Sequence, residues 1–208
     1  MKVVIIKYNA GNIMSVEFAL RRMGIEPLLT NDINEIKSAD KIIFPGVGEA
    51  STTMNYLKKM KLDMIIKDLH QPVLGICLGM QLMCSFSEEN NTDCIGIFDE
   101  KVIKFKPVPP EKSITRNWIK VPQMGWNSLN HVSGDLFDST IEGQYVYFVH
   151  SYYVPLSEYT SATTDYIVSY SAALQKNNFY ATQFHPEKSG SHGLEILKNF
   201  VDWDGRIY

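Results

Sequence analysis

The first half of the chain alternates short apolar segments with segments of helical periodicity, and this alternation strongly constrains the fold. The apolar segments predict strands over residues 3–8, 27–30, 41–44 and 73–76. The periodic segments predict helices over residues 15–23, 33–39 and 78–86, with one or two more within 49–69. A strand that is apolar throughout is buried on both faces, which is typical of parallel sheets covered by helices. We therefore predict an α/β fold with a mixed, largely parallel central sheet, flanking helices and a flavodoxin-like arrangement.

The second half has a different texture, with strand signals separated by loops that are rich in turn residues. Strands are predicted over residues 102–105, 145–149, 166–170 and 179–184, and a closing helix over 195–203. This pattern adds an antiparallel region to the sheet. A length of 208 residues fits one domain with a full core, and the proline-rich segment 106–110 is too short for a linker. We expect a single domain over residues 1–208.

Composition excludes several classes of function. The formal net charge is −3, and the densest basic cluster (Lys58, Lys59 and Lys61) is typical of a solvated helix face, so neither nucleic acid nor a membrane is expected as a partner. Three cysteines at wide spacing favour neither a disulfide framework nor a zinc motif. The first residues turn polar too early for a signal peptide, and no apolar stretch could span a bilayer. A reducing, cytoplasmic location is the expectation.

Cys77 lies in a segment that is typical of a nucleophile. Gly75-Ile76-Cys77-Leu78-Gly79 has the spacing G-x-C-x-G between a predicted strand and a predicted helix, the cysteine form of a nucleophile elbow. Such a turn exposes the sulfur above the sheet edge and directs the helix N-terminus at it, which favours the thiolate. The alternative is a buried cysteine in a glycine-rich turn, as we interpret Cys84 in a helix and Cys94 in a loop or core.

A base and its partner follow the last predicted strand. His185 and Glu187 are separated only by Pro186, whose ring fixes the local backbone, so both side chains can point the same way. Glu187 would hold the imidazole tautomer and stabilise the imidazolium. His-x-Glu also occurs in zinc deaminases, but their downstream Pro-Cys-x-x-Cys is absent from this sequence.

A third segment is suited to stabilising an oxyanion. Pro45-Gly46-Val47-Gly48 ends the third predicted strand, and its glycines let backbone N–H groups approach a ligand closely. Alone, it would be interpreted as an ordinary turn. The sequence contains neither a G-x-G-x-x-G fingerprint nor a Walker A motif.

Together these segments resemble the class I, or triad, glutamine amidotransferases. The resemblance rests on residues 75–81 and 184–187. It narrows to the HisH family, the glutaminase subunits of imidazole glycerol phosphate synthases in histidine biosynthesis, and it covers essentially the whole chain. The narrower resemblance rests on residues 8–12, 45–48, 121–127 and 147–152. One departure is Gln123, where that family usually has histidine.

The resemblance implies a role for each matching residue. It makes Cys77 the nucleophile, His185 the base and Glu187 its orienting group. It gives the oxyanion strand to Gly46, Val47 and Gly48. It assigns binding of the amino-acid head of glutamine to Gln81, Glu89, His150, Ser151 and Tyr152. It assigns the partner interface and the passage of ammonia to Trp126, Asn127, Tyr147 and Lys188, although Trp126 and Tyr147 are also compatible with core aromatics.

The resemblance also implies the reaction and its partner. The enzyme would need no metal and no organic cofactor, and would hydrolyse L-glutamine through acyl transfer. Its ammonia would pass to a (β/α)8-barrel cyclase subunit of the HisF family in a heterodimer. Three alternatives remain: the same glutaminase serving a surface-sugar amidination enzyme, another hydrolase or peptidase on the same scaffold, and a regulatory subunit without catalytic activity.

Overall fold

The computed structural model describes residues 1–8, 13–112 and 119–203. Within these residues the strands are, in chain order, β1 (Val3–Ile6), β2 (Leu28–Thr30), β3 (Lys41–Gly46), β4 (Val73–Cys77), β5 (Phe86–Ser87), β6 (Thr92–Asp93), β7 (Lys101–Lys104), β8 (Gln123–Ser128), β9 (Tyr145–His150), β10 (Tyr152–Tyr153), β11 (Thr160–Asp165), β12 (Ser169–Lys176) and β13 (Phe179–Thr182). The α-helices are α1 (Ile13–Arg22), α2 (Ile33–Lys37), α3 (Ala50–Met60), α4 (Leu62–Lys67), α5 (Leu78–Met83) and α6 (Gly190–Asp202).

The main sheet has the strand order β11-β12-β13-β4-β3-β1-β2. The strands from β13 to β2 run parallel, whereas β12 and β11 continue the sheet in antiparallel fashion. The predicted fold class is therefore confirmed. Because β1 lies between β2 and β3, the chain reverses its direction of winding there, and ligands bind such sheets at the carboxyl ends of the strands near this reversal.

Both faces of the sheet are covered, as continuous apolar strands require. In β1, Val3 and Ile5 pack in one layer with α1 and α6, whereas Val4 and Ile6 pack in the opposite layer with α3 and α4. This split follows from the alternation of side chains along a strand. The carboxyl ends of β3, β4 and β13 lie side by side between these two layers.

Two smaller sheets lie outside the main one. One has the order β10-β7-β5-β6, and the other is the antiparallel pair β8-β9. The register of the β8-β9 pair places Gln123 opposite His150 and Trp126 opposite Tyr147. The β8-β9 hairpin therefore pairs the end of β9 with the start of β8, and it carries exposed side chains further along β8.

Several predicted elements differ from the observed ones. The predicted strand over Tyr166–Tyr170 is wrong for residues 166–168, which form the turn between β11 and β12, whereas Ser169 and Tyr170 begin β12. Strand β11 was not predicted, because its Ser and Thr side chains lack an apolar alternation, and neither was β8. The third strand extends through Pro45 and Gly46, since both residues pair with β4.

The helices differ mainly at their ends. The helix after Cys77 ends at Met83, because Cys84 is extended with φ −69° and ψ 176°. The closing helix begins at Gly190, earlier than the predicted residue 195. Residues 9–12, part of the first motif of the resemblance, lie outside the described residues.

Candidate active site

Cys77 is the last residue of β4 and immediately precedes α5. Its φ of 53° and ψ of −106° lie in a region that residues with a side chain rarely adopt. Backbone strain of this kind is maintained when the surrounding packing over-determines it, and it concentrates at functional sites. The local geometry is therefore that of a strand-to-helix elbow with the sulfur at its apex.

Glycines around the elbow allow an approach of backbones that a side chain would block. A Cβ atom on Gly79 would lie 2.0 Å from the carbonyl oxygen of Phe44. One on Gly46 would lie 2.5 Å from the backbone nitrogen of Gly79, and one on Gly75 would lie 2.8 Å from the Met83 sulfur. Gly46 and Gly79 thus allow β3 to pack closely against the start of α5, and Gly75 leaves room for the Met83 side chain.

His185 reaches the same edge of the sheet from β13. This strand runs parallel to β4, with Thr182 opposite Ile76, so the residues that follow it pass beside Cys77. Nδ1 of His185 lies 2.8 Å from Oε1 of Glu187, and both side chains are 1% exposed. A short helical turn over Pro186–Lys188 brings the two side chains together.

The backbone around His185 is anchored on both sides. Its N–H donates to the carbonyl oxygen of Tyr147 at 2.9 Å. The hydroxyl of Ser189 donates to the His185 carbonyl at 2.7 Å and accepts from the Tyr147 N–H at 2.9 Å. The imidazole is therefore held in place by β9 as well as by its own segment.

The electrostatics of the site favour a protonated His185 imidazole. Burial lowers the pKa of His185, but its interactions with Cys77 and with Glu187 outweigh burial and raise that pKa to about 10. An imidazolium next to a thiolate is the resting form that nucleophilic cysteine chemistry uses.

Cys77 and His185 face a pocket of about 360 Å³. The residues that line the pocket come from the segment after β3, from the end of β4 and α5, and from the end of β9 and the residues that follow it. The segment after β13 and the segments before β6 and β8 contribute one residue each. They are Val47, Gly48, Cys77, Leu78, Gln81, Glu89, Pro122, Val149, His150, Ser151, Tyr152 and His185. Every residue that the resemblance assigns to the glutamine head is in this set, as are Val47 and Gly48 of the oxyanion segment.

Gln81 and Glu89 contribute polar groups to this pocket. Gln81 is buried, and its Nε2 donates to the Tyr152 carbonyl and to Oε1 of Gln183, at 3.0 Å in both cases. Glu89 accepts a hydrogen bond of 2.8 Å from the backbone N–H of Ala50. Burial raises the pKa of Glu89. In its charged form, this carboxylate suits a substrate that carries an ammonium group.

His150 lies deeper in the wall of the pocket. Its Nδ1 lies 2.7 Å from the Tyr152 carbonyl oxygen and its Nε2 lies 3.0 Å from the hydroxyl of Tyr170. Burial lowers the pKa of His150 to about 4, so the ring is neutral near pH 7. Since a carbonyl only accepts, Nδ1 carries the proton of the neutral ring.

The oxyanion segment lies directly across from Cys77, because Gly46 pairs with Cys77 in the register of β3 and β4. Gly48 has a φ of +129°, and an added Cβ there would meet nothing within 4 Å. Gly48 thus needs the backbone freedom of glycine, whereas Gly46 needs its small size. The buried Tyr8 hydroxyl donates to the Pro45 carbonyl at the start of this segment.

The residues that the resemblance assigns to the interface lie on or beside the β8-β9 hairpin and outside the pocket. Trp126 is 54% exposed, and its ring meets that of Tyr147 edge-on at 6.0 Å. Asn127 donates to the Asp165 carbonyl at 2.6 Å, and Lys188 is exposed just after Glu187. Met124 and Tyr145 add further exposed apolar surface to the hairpin.

Sequence reasoning missed Gln183, which the structure places against the sulfur. Its Nε2 lies 3.7 Å from the Sγ of Cys77, and its side chain is fully buried. The available signal was its position two residues before His185 on an extended segment, since such residues share a face.

Among residues 1–8, 13–112 and 119–203, no group of three or more His, Cys, Asp or Glu side chains could hold a metal ion. None of the helices in those ranges is long and apolar enough to cross a membrane.

Comparison with known proteins identifies the family. The model of the family "Glutamine amidotransferase class-I" matches residues 6–203. The imidazole glycerol phosphate synthase subunit HisH of Bacteroides fragilis (strain YCH46) is 60% identical over 202 residues, covering 97% of this chain and 100% of the relative. The chain belongs to the HisH family of class I glutamine amidotransferases.

More distant HisH relatives agree. The HisH subunit of Escherichia coli (strain K12) is 43% identical over 204 residues, covering 97% of this chain and 100% of that one. The HisH subunit of Haemophilus influenzae (strain Rd) is 44% identical over 203 residues, covering 97% and 98%. As a member of this family the chain is a glutamine amidotransferase, so the alternatives of an unrelated hydrolase and of a purely regulatory role are set aside.

Solved structures support the fold. The crystal structure of a putative GMP synthase component from Thermoplasma acidophilum matches with a TM-score of 0.70 at 20% identity, covering 97% of this chain and 92% of that one. At this identity the likeness concerns the fold of the HisH chain alone.

Proposed function

We propose that this chain, acting over residues 1–208 as one domain, hydrolyses glutamine with a Cys77-His185-Glu187 triad and passes the ammonia to a (β/α)8-barrel cyclase of the HisF family. The observation that carries the proposal is the pocket at the sheet edge. It joins a cysteine on a strained elbow with a buried histidine whose Nδ1 is held 2.8 Å from a carboxylate oxygen. Family membership supplies the substrate class.

The first half of the reaction is transfer of the glutamyl group to sulfur. The Cys77 thiolate attacks the side-chain carbonyl carbon of glutamine, and the carbonyl oxygen becomes an oxyanion. His185, protonated and held by Glu187, gives its proton to the departing nitrogen, so that the C–N bond breaks and ammonia leaves. The raised pKa of His185 keeps this proton available near pH 7.

The second half returns the enzyme to its resting form. His185, now neutral, takes a proton from water as the water attacks the thioester carbon. The C–S bond breaks and glutamate leaves the pocket. Cys77 is again a thiolate and His185 is again an imidazolium. Glu187 stabilises the imidazolium in both halves without taking its proton.

Backbone N–H groups of the segment Gly46–Gly48 would stabilise the oxyanion. This segment borders Cys77, and the φ of Gly48 shows that its peptides take an orientation that glycine permits. A donor aimed at the oxyanion lowers the barrier by about 3 kcal/mol in comparable sites. We expect a peptide of this segment to rotate when the active complex forms.

The amino-acid head of glutamine would occupy the end of the pocket formed by Gln81, Glu89 and residues 150–152. Glu89 offers a carboxylate to the substrate ammonium. Gln81 has both N–H groups engaged with protein acceptors, which leaves its Oε1 for the substrate. The pocket volume of about 360 Å³ accommodates one small amino acid.

Ammonia needs a protected route, because in water near pH 7 it becomes ammonium and loses its nucleophilic lone pair. The exposed aromatic hairpin beside the pocket offers a surface for the partner, and Tyr147 contacts the backbone of His185 directly. The HisH relatives are named as subunits of imidazole glycerol phosphate synthase, which supports a cyclase as that partner. The complex would make imidazole glycerol phosphate and the aminoimidazole carboxamide ribotide.

The partner is tested by glutamate release from glutamine, measured for this chain alone and after addition of a barrel cyclase subunit with its nucleotide ligand. The proposal predicts a large rise only when both are added. Without a rise, the acceptor enzyme is a different one, such as a surface-sugar amidination enzyme. Capture of the partner from cell extract would discriminate between these pathways.

A further inference from the structure

Gln183 is fully buried between the proposed nucleophile and Gln81. Its Nε2 lies 3.7 Å from Cys77 Sγ, and its Oε1 accepts a hydrogen bond of 3.0 Å from Gln81 Nε2. We propose that Gln183 is the hydrogen-bond donor that orients the Cys77 sulfur and stabilises its thiolate, with Gln81 as the residue that fixes the direction of this donor. The inference rests on the proposed role of Cys77.

A single backbone carbonyl determines which end of Gln183 faces the sulfur. The Tyr152 carbonyl only accepts hydrogen bonds, so the Gln81 atom 3.0 Å from it is the amide nitrogen. The same nitrogen also contacts Gln183, which must therefore present its oxygen to Gln81. Only the amide nitrogen of Gln183 is then left for Cys77, so the Gln183 atom that lies 3.7 Å from the sulfur is a hydrogen-bond donor.

His150 holds that carbonyl in place. Its Nδ1 donates to the Tyr152 oxygen at 2.7 Å, and its Nε2 contacts the buried hydroxyl of Tyr170 at 3.0 Å. The Tyr152 carbonyl thus accepts from His150 and from Gln81 together. A chain of hydrogen bonds therefore runs from His150 through Gln81 and Gln183 to the sulfur.

The strand geometry explains why Gln183 faces the nucleophile. β13 runs parallel to β4 and ends at Thr182, opposite Ile76, so Gln183 and His185, which follow it, pass beside Cys77. Phe184 between them points into the core, where its ring meets that of Phe148 at 5.8 Å. The segment thus brings both a base and an amide donor to Cys77.

A donor at this position offsets an unfavourable neighbour of the thiolate. The thiol of Cys77 points at the carbonyl oxygen of Val149, 3.9 Å away, a contact that suits the protonated sulfur only. Loss of the proton turns that contact into a repulsion, whereas the contact with Gln183 becomes a charge-assisted hydrogen bond. Gln183 therefore shifts the balance toward the thiolate.

The other titratable groups near the sulfur do not replace this donor. His185 interacts with the sulfur through its charge and a hydrogen bond, but in the mechanism it gives up this proton, whereas the Gln183 amide keeps its own. Burial raises the pKa of Tyr8 and of Tyr170, and the charge of Cys77 raises both further, so both phenols are neutral near pH 7. The Tyr8 hydroxyl donates to Pro45 and that of Tyr170 contacts Gln123 and His150.

The test is the pH dependence of alkylation of Cys77 by iodoacetamide in Gln183→Met, which removes the amide while keeping a similar volume. Peptide mass spectrometry separates Cys77 from Cys84 and Cys94. We expect the midpoint of the profile to move to higher pH by about one unit relative to the unsubstituted chain. Gln175→Met on β12, whose amide pairs with Asp135, is the matched control and leaves the midpoint unchanged.

A kinetic readout separates this role from general support of the fold. In the complex with the cyclase subunit, Gln183→Met should lower kcat for glutamate release about tenfold at pH 7, with KM changed by less than about twofold. The loss should shrink at higher pH, where the thiolate forms without the donor. A structural defect would lower activity equally at every pH.

An unchanged alkylation midpoint in Gln183→Met would overturn the inference. Should that variant fail to fold, Gln183→Glu keeps the shape and the acceptor for Gln81, and its midpoint must also move to higher pH. Failure of the proposed function is recognised by a separate test. Release of glutamate by a Cys77→Ala variant would refute the proposed triad. The alkylation profile does not depend on enzyme activity, so it tests the role of Gln183 independently.

Discussion

The Nδ1 atom of His185 lies 2.8 Å from the Oε1 atom of Glu187, although only Pro186 separates the two residues in the chain. Both side chains are buried, so water does not compete with either of them for this hydrogen bond. The pair is built locally, within a single turn, whereas its nucleophile arrives from a strand more than a hundred residues earlier. The parallel pairing of β13 with β4 is what brings base and sulfur together.

The charge of Glu187 is needed to stabilise the imidazolium. Glu187→Gln keeps the shape of the side chain but removes that charge, so we expect kcat of glutamate release to fall about a thousandfold with little change in stability. The measurement is steady-state release of glutamate in the complex with the cyclase subunit. Glu158→Gln, at an exposed position, is the control. If Glu187→Gln were as active as this control, Glu187 would not be a member of the triad.

Close packing at the elbow makes Gly79 sensitive to substitution. Gly79→Ala would place a Cβ 2.0 Å from the Phe44 carbonyl oxygen, and we expect the free energy of unfolding to fall by about 2 kcal/mol or more. Gly24→Ala has open space and only its φ of +78° to oppose it, so about 1 kcal/mol is expected there. Urea unfolding compares the two, and an equal loss would contradict the packing argument.

Burial of neutral His150 makes stability depend on pH. Its pKa is about 4 in the folded chain against an ordinary 6.5, so below pH 6.5 the unfolded chain takes up a proton that the folded chain does not. The free energy of unfolding should therefore fall as the pH is lowered from about 6.5 to about 4, with about 3 kcal/mol from this group. Above pH 6.5 the group contributes no slope.

The pH dependence is tested by the slope rather than by the height of the stability curve. His150→Gln removes the titrating group, so urea unfolding between pH 4 and pH 6.5 should give a shallower slope than in the unsubstituted chain. His70→Gln replaces an exposed histidine and should keep the original slope. Identical slopes in all three proteins would mean that His150 titrates normally.

The exposed hairpin residue Trp126 is expected to anchor the partner. A buried interfacial tryptophan contributes about 2 kcal/mol or more, so Trp126→Ala should weaken binding of the cyclase about thirtyfold without changing the fold. Titration calorimetry measures the Kd. Met64→Ala removes a side chain of 66% exposure from α4, whose chain leads to the opposite end of β4, and should bind normally. Unchanged affinity in Trp126→Ala would place the partner elsewhere.

Features encoded in short segments were predictable from the sequence. The elbow around Cys77 and the pair of His185 and Glu187 each depend on a few adjacent residues, as do the apolar strands of the parallel sheet. Each of these signals is local, so the residue pattern is enough to predict the local backbone geometry.

Features that depend on tertiary contacts were missed. Gln183 is not part of the Cys, His and Glu pattern of the triad, and its contact with the sulfur arises only when β13 pairs with β4. The strand Thr160–Asp165 is rich in threonine and serine, so it lacks the apolar alternation of a strand. The strand was predicted instead over Tyr166–Tyr170, which spans the following turn and the first two residues of β12. The register of β11 comes from pairing with β12.

The central claim is that Cys77 is the nucleophile, and one comparison tests it most directly. Glutamate release is measured for the unsubstituted chain and for Cys77→Ser, Cys84→Ser and Cys94→Ser, each in complex with the cyclase in the presence of its nucleotide ligand. We predict a loss of at least about a thousandfold in Cys77→Ser alone, with the other two variants close to the original activity. Glutamate release that survives in Cys77→Ser, or that is lost in Cys84→Ser or Cys94→Ser instead, would contradict the account.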